Sequence, residues 1–206
     1  MNDGRRRVDG TSALAREAAR KGIHLTSVLI PTFLALDTPR RAVIVGLLVL
    51  LVIAIIVEVA RRASPLVASR FERVFAPLLR SREHTQLTGA TWLIGAMLAA
   101  VALLPRDAAI ATTWAVAVGD ASAAMIGMRF GHHRSTRSGK SLEGSAACLV
   151  ATVIGAVLLA RMPIIESLVI GVVATAAERA PWPADDNTRI VVLVGVTTWL
   201  WRIASY

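Results

Sequence analysis

The feature that most constrains this chain is a series of apolar blocks, each near the length of a membrane crossing. A helix needs about 20 mostly apolar residues to traverse the hydrocarbon core of a bilayer. Residues 42–59, 88–104, 108–128, 145–160 and 190–204 approach that length, and 163–177 is somewhat shorter. A further run, 23–36, reaches across if its helix begins near Ser12. The blocks are apolar all round, whereas a soluble domain would alternate apolar and polar faces. The expected fold is therefore all-α, a polytopic membrane helix bundle of about seven transmembrane helices. Residues 1–11 are expected to be a mobile polar N-terminus and 12–206 a single membrane-embedded domain.

The net charge of +9 would suit nucleic acid if it formed one patch, but the basic residues sit at the boundaries of the apolar blocks. Lys and Arg concentrate in cytoplasmic loops of membrane proteins. With seven crossings, 18 of the 23 fall on one side and 5 on the other. The N-terminus is then cytoplasmic and the C-terminus outside, with the chain in the plasma membrane and no nucleic-acid partner. Dropping the first crossing would put the basic N-terminus on the wrong side. That N-terminus is too long and too charged for a signal peptide, so the first segment is expected to stay. The single cysteine, Cys148, makes no intramolecular disulfide and is silent on redox compartment.

Between the crossings two stretches carry amphipathic signals. Glu17, Lys21 and His24 follow helical spacing with Arg20 beside them, forming either a lipid-facing basic surface or part of a site. In the longest connection, 64–86, Phe71, Val74, Phe75, Leu78 and Leu79 repeat near a helical period with arginines opposite. That describes a helix on the inner surface, which leads a lipid to the site or anchors the loop. Glu58, just before Arg61 and Arg62, reads as a salt-bridged boundary residue.

The chemistry concentrates between Val118 and Ser145. Asp120 lies inside an apolar segment, where a charge costs a few kcal/mol and marks a functional site by default. Gly119, Ala123, Gly127 and Gly131 recur every fourth residue and permit close helix packing. The loop Gly139-Lys140-Ser141-Leu142-Glu143-Gly144 then precedes the next segment. Glu143, Glu178, Asp185 and Asp186 all fall on the same side as Asp120. Magnesium is commonly held by one or two carboxylates plus substrate phosphates. Lys140, with Arg134 and Arg137, can neutralise phosphate oxygens, and Gly139 and Gly144 allow close backbone approach. A P-loop is excluded because Arg134 stands where that pattern needs its first glycine, and no strand precedes it. His132 and His133 lack partners at zinc-ligand spacing. Pro181 and Pro183 end the sixth segment, and Asp185, Asp186 or Asn187 can cap the seventh. Thr11 or Ser12 can cap the first, and Trp182, Trp199 and Trp201 suit the membrane interfaces.

Taken in order, these pieces resemble the integral-membrane lipid-alcohol kinases, the polyprenol kinase family that includes dolichol kinase, phytol kinase and the CTP-dependent diacylglycerol kinase of yeast. The matching pieces are Arg20-Lys21 with His24, Arg80 to Glu83 followed by Leu87 to Thr91, Gly119-Asp120-Ala121 through Gly127 and Phe130-Gly131, Gly139 to Gly144, and Glu178 followed by Asp186-Asn187. The resemblance implies phosphoryl transfer from a nucleoside triphosphate, CTP before ATP, to the hydroxyl of a membrane lipid such as a polyprenol, a phytol-like alcohol or diacylglycerol. It implies Mg²⁺ as cofactor, held by Asp120, Glu143, Asp186 and Asn187. It makes Asp120, Glu143 and Glu178 the catalytic carboxylates. Lys140, Gly139, Ser141, Gly144 and Arg137 would hold the phosphates, with Lys21, His24 and Glu83 as accessory residues. Asp185 turns the family's Asp-Asn into a double acid, and the chain is shorter than dolichol kinases. Two rival functions share part of this pattern: a phosphatidate cytidylyltransferase making a CDP-lipid, and a small transporter using Asp120 to couple ions. Acids gathered on one side rather than at the midplane speak against transport. An inert scaffold leaves Asp120 unexplained.

Overall fold

The computed structural model describes residues 15–181 and 185–204. The proposed mobile segment 1–11, the Thr11 and Ser12 caps, Trp182 and Pro183 lie outside the described residues. Among the described residues every regular element is helical, with one isolated bridge between Arg134 and Ser141.

Each apolar block expected from the sequence is a helix. The first is α1 (residues 15–25), a 3₁₀ turn (Thr26–Val28) and α2 (Leu29–Ala35). Pro31 has no N–H to give the carbonyl one turn back, and the tightened turn lies just before it. Then come α3 (Arg40–Ala63), α4 (Pro65–Phe75), α5 (Gly89–Leu103) and α6 (Arg106–Trp114). A π-helical turn (Ala115–Gly119) joins α6 to α7 (Asp120–Phe130). The chain ends with α8 (Leu142–Leu158), α9 (Ile164–Arg179) and α10 (Asp186–Ala204). The amphipathic helix expected between the second and third blocks is α4, and Ser64 caps it by accepting from the Val67 N–H.

Two helices are long and apolar enough to cross a membrane, Arg40–Ala63 and the continuous Arg106–Phe130. Two others, Gly89–Leu103 and Leu142–Leu158, are apolar but shorter. At 1.5 Å per residue the 15 residues of α5 span roughly 22 Å, short of the hydrocarbon thickness. Length and apolar composition together therefore single out two helices among the described residues; α10 is long enough at 19 residues but less apolar.

The segment α6–π–α7 is the axis of the bundle. It is largely buried, and α5, α8, α9 and α10 pack around it. Its neighbours approach through small residues: Trp114 lies over Gly155, where a Cβ would come within 2.1 Å of the indole, and its Nε1 donates to Ala151 O at 2.8 Å. In α3 the reverse holds, with ten large apolar side chains exposed between positions 45 and 59.

Polar groups gather at two ends. At one, Arg106 donates to the Leu34 and Thr38 carbonyls, Arg40 to Val101 O, and Arg202 pairs with Asp107 at 2.5 Å. These are all residues that the charge alternation assigns to the outer side. At the other end lie Lys21, Glu58, Lys140, Glu178 and Asp186, as that alternation also requires.

Candidate functional site

Asp120 opens α7 directly after the π-helical turn, and only 3% of it is exposed. Such a turn widens the backbone by one residue and shifts carbonyls off their usual partners. The Val116 carbonyl within it accepts from His24 Nε2 at 2.8 Å, which fixes the proton on that nitrogen. His24 also lies 3.7 Å from Asp120 Oδ2, and the Lys21 ammonium pairs directly with the same oxygen. Lys21 and His24, one turn apart on α1, therefore hold the carboxylate from the N-terminal side of the chain, 99 and 96 residues away in sequence.

A second cluster comes from the loop and the last two helices. Lys140 Nζ lies 2.6 Å from Glu178 Oε1 and 3.4 Å from Asp186 Oδ2, and it also donates to the Glu178 carbonyl. Arg189 holds the other Asp186 oxygen at 3.1 Å. Burial works to lower the pKa of Lys140, but Asp186 and Glu178 outweigh it, and the ammonium is held above the ordinary lysine value of 10.5.

The loop is built to deliver Lys140. Gly139 takes a left-handed φ of 71°, a conformation that costs glycine little. Ser135 N–H donates to the Lys140 carbonyl and Gly139 N–H to Ser135 O, closing a compact turn. Ser141 then caps α8 by accepting from Gly144 N–H at 3.0 Å. Gly144 must be glycine because a Cβ there would stand 2.5 Å from Ala123 O of α7.

Two cavities meet at this place. The smaller, about 200 Å³, is lined by the basic side chains of Lys21, Arg80, Arg134 and Lys140 and the acidic ones of Glu17, Asp120, Glu178 and Asp186, among others. The larger, about 750 Å³, runs between α1–α2, α3, α4 and α5 and is lined mainly by aliphatic and aromatic side chains such as Phe33, Leu50, Phe71 and Met97. Glu17, Lys21, Arg80, Asp120 and Asp186 line both. The Lys21–Asp120 pair thus stands where an apolar chamber opens into a cleft lined by charges of both signs.

Of the residues singled out in the sequence, Asp120, Lys140, Glu178, Asp186, Lys21, Gly139, Ser141 and Gly144 line the polar cleft, while Asn187 and His24 line the apolar cavity. Three expectations change. Glu143 does not line either cavity; it pairs with His133 at 2.8 Å, which pulls its carboxyl down to about 2. Its place in the first turn of α8 turns the side chain toward the loop rather than the cleft. His133 is correspondingly partnered. Arg137 is exposed and lines neither cavity; the arginine at the cleft is Arg134, which donates to Gly127 O at 2.6 Å and to Gly139 O at 3.2 Å. Glu83 borders the apolar cavity, but its carboxylate caps backbone, accepting from Arg80 N and Gly89 N at 3.1 Å each. Glu58 acts likewise, accepting from Thr88 N at 2.8 Å while paired with Arg61. Glu17 and Arg80, both in stretches singled out in the sequence, line the cleft, and Arg189 joins them through Asp186. Arg80 and Glu17 could be suspected from the helical face shared with Lys21 and from the Arg80–Glu83 motif; for Arg189 the sequence carries no signal.

Among the described residues, no three His, Cys, Asp or Glu side chains converge as a metal cage. A magnesium ion that takes substrate phosphates as its main ligands needs fewer. Two buried oxygens fit that demand: Glu178 Oε2 and Asn187 Oδ1 have no hydrogen-bond partner. Glu178 lines the cleft, Asn187 the apolar cavity, and Asp186, next to Asn187 in sequence, lines both while its oxygens pair with Lys140 and Arg189; these are hard oxygens of the kind Mg²⁺ takes, set around the junction of the two cavities. Glu143 is not among them.

No protein-family model and no solved structure matches this chain significantly. An uncharacterized protein of Rickettsia prowazekii (strain Madrid E) is 25% identical to it over 146 residues, covering 69% of this chain and 70% of the relative.

Proposed function

We propose that this protein is a membrane-embedded kinase that transfers the terminal phosphate of a nucleoside triphosphate to the hydroxyl of a lipid alcohol. The observation that carries the reading is the junction of the two cavities at Asp120. An apolar chamber for a hydrocarbon chain and a charged cleft, whose four basic side chains suit phosphates and whose acids suit a metal ion, share one buried carboxylate, an arrangement that suits joining a lipid hydroxyl to a phosphate.

The membrane setting rests on α3. Ten Val, Leu and Ile side chains on one helix, each about half exposed, would each forfeit on the order of 1 kcal/mol of burial in water, and lipid removes that cost. The gathering of inner and outer charged residues at opposite ends supports seven crossings, with α1–α2 as the first and α10 as the last. The cleft then faces the cytoplasm of the plasma membrane, where nucleotide is available.

In the reaction, Lys140, Arg134 and Arg80 neutralise phosphate oxygens; Glu178 and Asp186 at the cleft, with Asn187 beside Asp186 in sequence, would hold Mg²⁺. Bound Mg²⁺ supplies further charge neutralisation on the triphosphate. The lipid lies in the apolar cavity with its hydroxyl at Asp120, which lines both spaces; Glu178 lines only the cleft. The hydroxyl oxygen attacks the terminal phosphorus, and the new O–P bond forms as the P–O bond to the leaving nucleoside diphosphate breaks. Asp120 receives the hydroxyl proton, and Lys21 holds the carboxylate in position. Phosphoryl transfer asks mainly for positioning and charge neutralisation, which this cluster provides. CTP is the expected donor, with ATP second.

The test is purified protein with Mg²⁺, γ-labelled CTP or ATP, and a panel of polyprenols, phytol, geranylgeraniol and diacylglycerol. Label moving into one lipid supports the reading and names both substrates. Folded protein that labels none of them, but adds CMP to phosphatidate, would replace it with the cytidylyltransferase reading.

A further inference from the structure

α4 has two faces with different surroundings. Phe71 and Phe75 line the apolar cavity, with their rings 4.8 Å apart and the Arg61 guanidinium 5.3 Å from the Phe71 centroid. Leu66, Arg70, Arg73 and Val74 follow the i, i+4, i+7, i+8 spacing of one other face, and all four are exposed. Neither Arg70 nor Arg73 forms an ion pair among the described residues. The acids nearby are engaged: Glu72 with His84 at 3.1 Å, Glu83 in its caps and Glu58 with Arg61. Arg82 adds exposed positive charge nearby, while Arg62 at the end of α3 shares Glu58 with Arg61, at 3.5 Å.

From this placement we infer that the Leu66–Arg70–Arg73–Val74 face of α4 docks on the anionic headgroups of the inner leaflet, making α4 a lipid-seated cover over the apolar cavity. Three observations point to this occupant. Only Ser64 separates α4 from the lipid-exposed α3, so the helix starts at the level where α3 leaves the bilayer. The face alternates aliphatic and arginine side chains, which lets the aliphatics dip below the headgroups while the guanidinium groups reach phosphate. Its charge is uncompensated by protein, and each basic side chain near an anionic leaflet favours association by about fivefold, so two give about 25-fold. Because the opposite face lines the cavity, docking also sets how far that cavity opens toward the leaflet. The inference rests on the membrane reading of the chain and not on its kinase activity.

Hydrogen exchange on the full chain in nanodiscs tests it without turnover. In discs containing phosphatidylglycerol, amides of residues 65–79 should exchange at least tenfold more slowly than in pure phosphatidylcholine discs. The Arg70→Gln/Arg73→Gln variant should lose that difference, while α3 stays equally protected in both proteins. Equal exchange of α4 in the two lipids overturns the inference, as does protection that follows added nucleotide or a second copy in the disc. Failure of the protein to enter discs with α3 protected would instead sink the membrane reading.

Discussion

The buried Lys21–Asp120 pair separates structural from chemical roles at the level of single residues. Breaking a buried ion pair from one side leaves the other charge uncompensated, at a cost of about 3–5 kcal/mol. Lys21→Met should therefore lower thermal stability strongly, and adding Asp120→Asn should recover much of it, since no buried charge then remains. Turnover should not recover: Asp120→Asn, alone or combined, should fall by at least about a thousandfold, being the loss of the base as well as of charge at the site. Full activity in Asp120→Asn would remove Asp120 from the mechanism. Lys140 gives a pH prediction. Its pKa is raised, so the stabilisation from its contacts is complete below the unfolded value of 10.5 and is lost only as pH climbs through the higher folded value. The activity profile should show no fall from this group between neutrality and about pH 10. Glu143 behaves differently. Its depressed pKa, about 2, means its pairing contributes above the ordinary value of 4.5 and fades as pH falls toward 2. Glu143→Gln should keep activity within about threefold of wild type, because its partner is His133 on the loop. The sequence could group Asp120, Lys140, Glu178 and Asp186 because charge alternation puts them on one side. It could not separate Glu143 from them, since a first-turn acid serves equally as a dipole partner or a ligand. Glu83 was opaque for the same reason: a carboxylate that caps a helix looks identical in sequence to one that binds substrate.

Among the elements, the contact of α7 with α8 is the one that shapes the cleft floor. Gly127, Gly131 and Gly144 let the backbones approach: a Cβ at Gly131 would stand 2.7 Å from the Ser141 side chain, and one at Gly127 would meet Ser141 Oγ at 2.9 Å. Gly144→Ala should cost about 1–3 kcal/mol, the usual range for overpacking, and depress activity further by displacing the Ser141 cap and with it Lys140. A control is available at Gly46 of α3, where nothing lies within 4 Å and alanine should be tolerated with both properties unchanged. If Gly144→Ala matches that control, the close approach does not govern the site. The four-residue glycine spacing made this packing legible beforehand. The π-helical turn at Ala115–Gly119 was not: its residues are those of an ordinary apolar helix, and the partner of its Val116 carbonyl, His24, lies 92 residues away in sequence. The 3₁₀ turn before Pro31 lies between these cases: a proline inside a helix favours an irregular turn just before it, but the form of that turn depends on packing.

For the molecule as a whole, orientation is the claim with the widest consequences, since it decides whether the cleft meets cytoplasmic nucleotide. Cys148 is fully buried, so its replacement by alanine gives a quiet background for single-cysteine labelling. Asp37 is almost fully exposed at the end shared with Arg106 and Asp107, and Arg137 is exposed on the loop that delivers Lys140. In intact cells, an impermeant maleimide should label Asp37→Cys and leave Arg137→Cys untouched until the membrane is opened. The two positions are separated by α3, α5 and the α6–α7 axis, an odd number of crossings, so they must lie on opposite sides if each helix spans. Labelling of both from one side would mean that one of those helices does not cross, with α5 the first suspect at its 15 residues. The reversed pattern would turn the cleft outward, away from nucleoside triphosphate, and the kinase reading would fail even with every residue of the site in place.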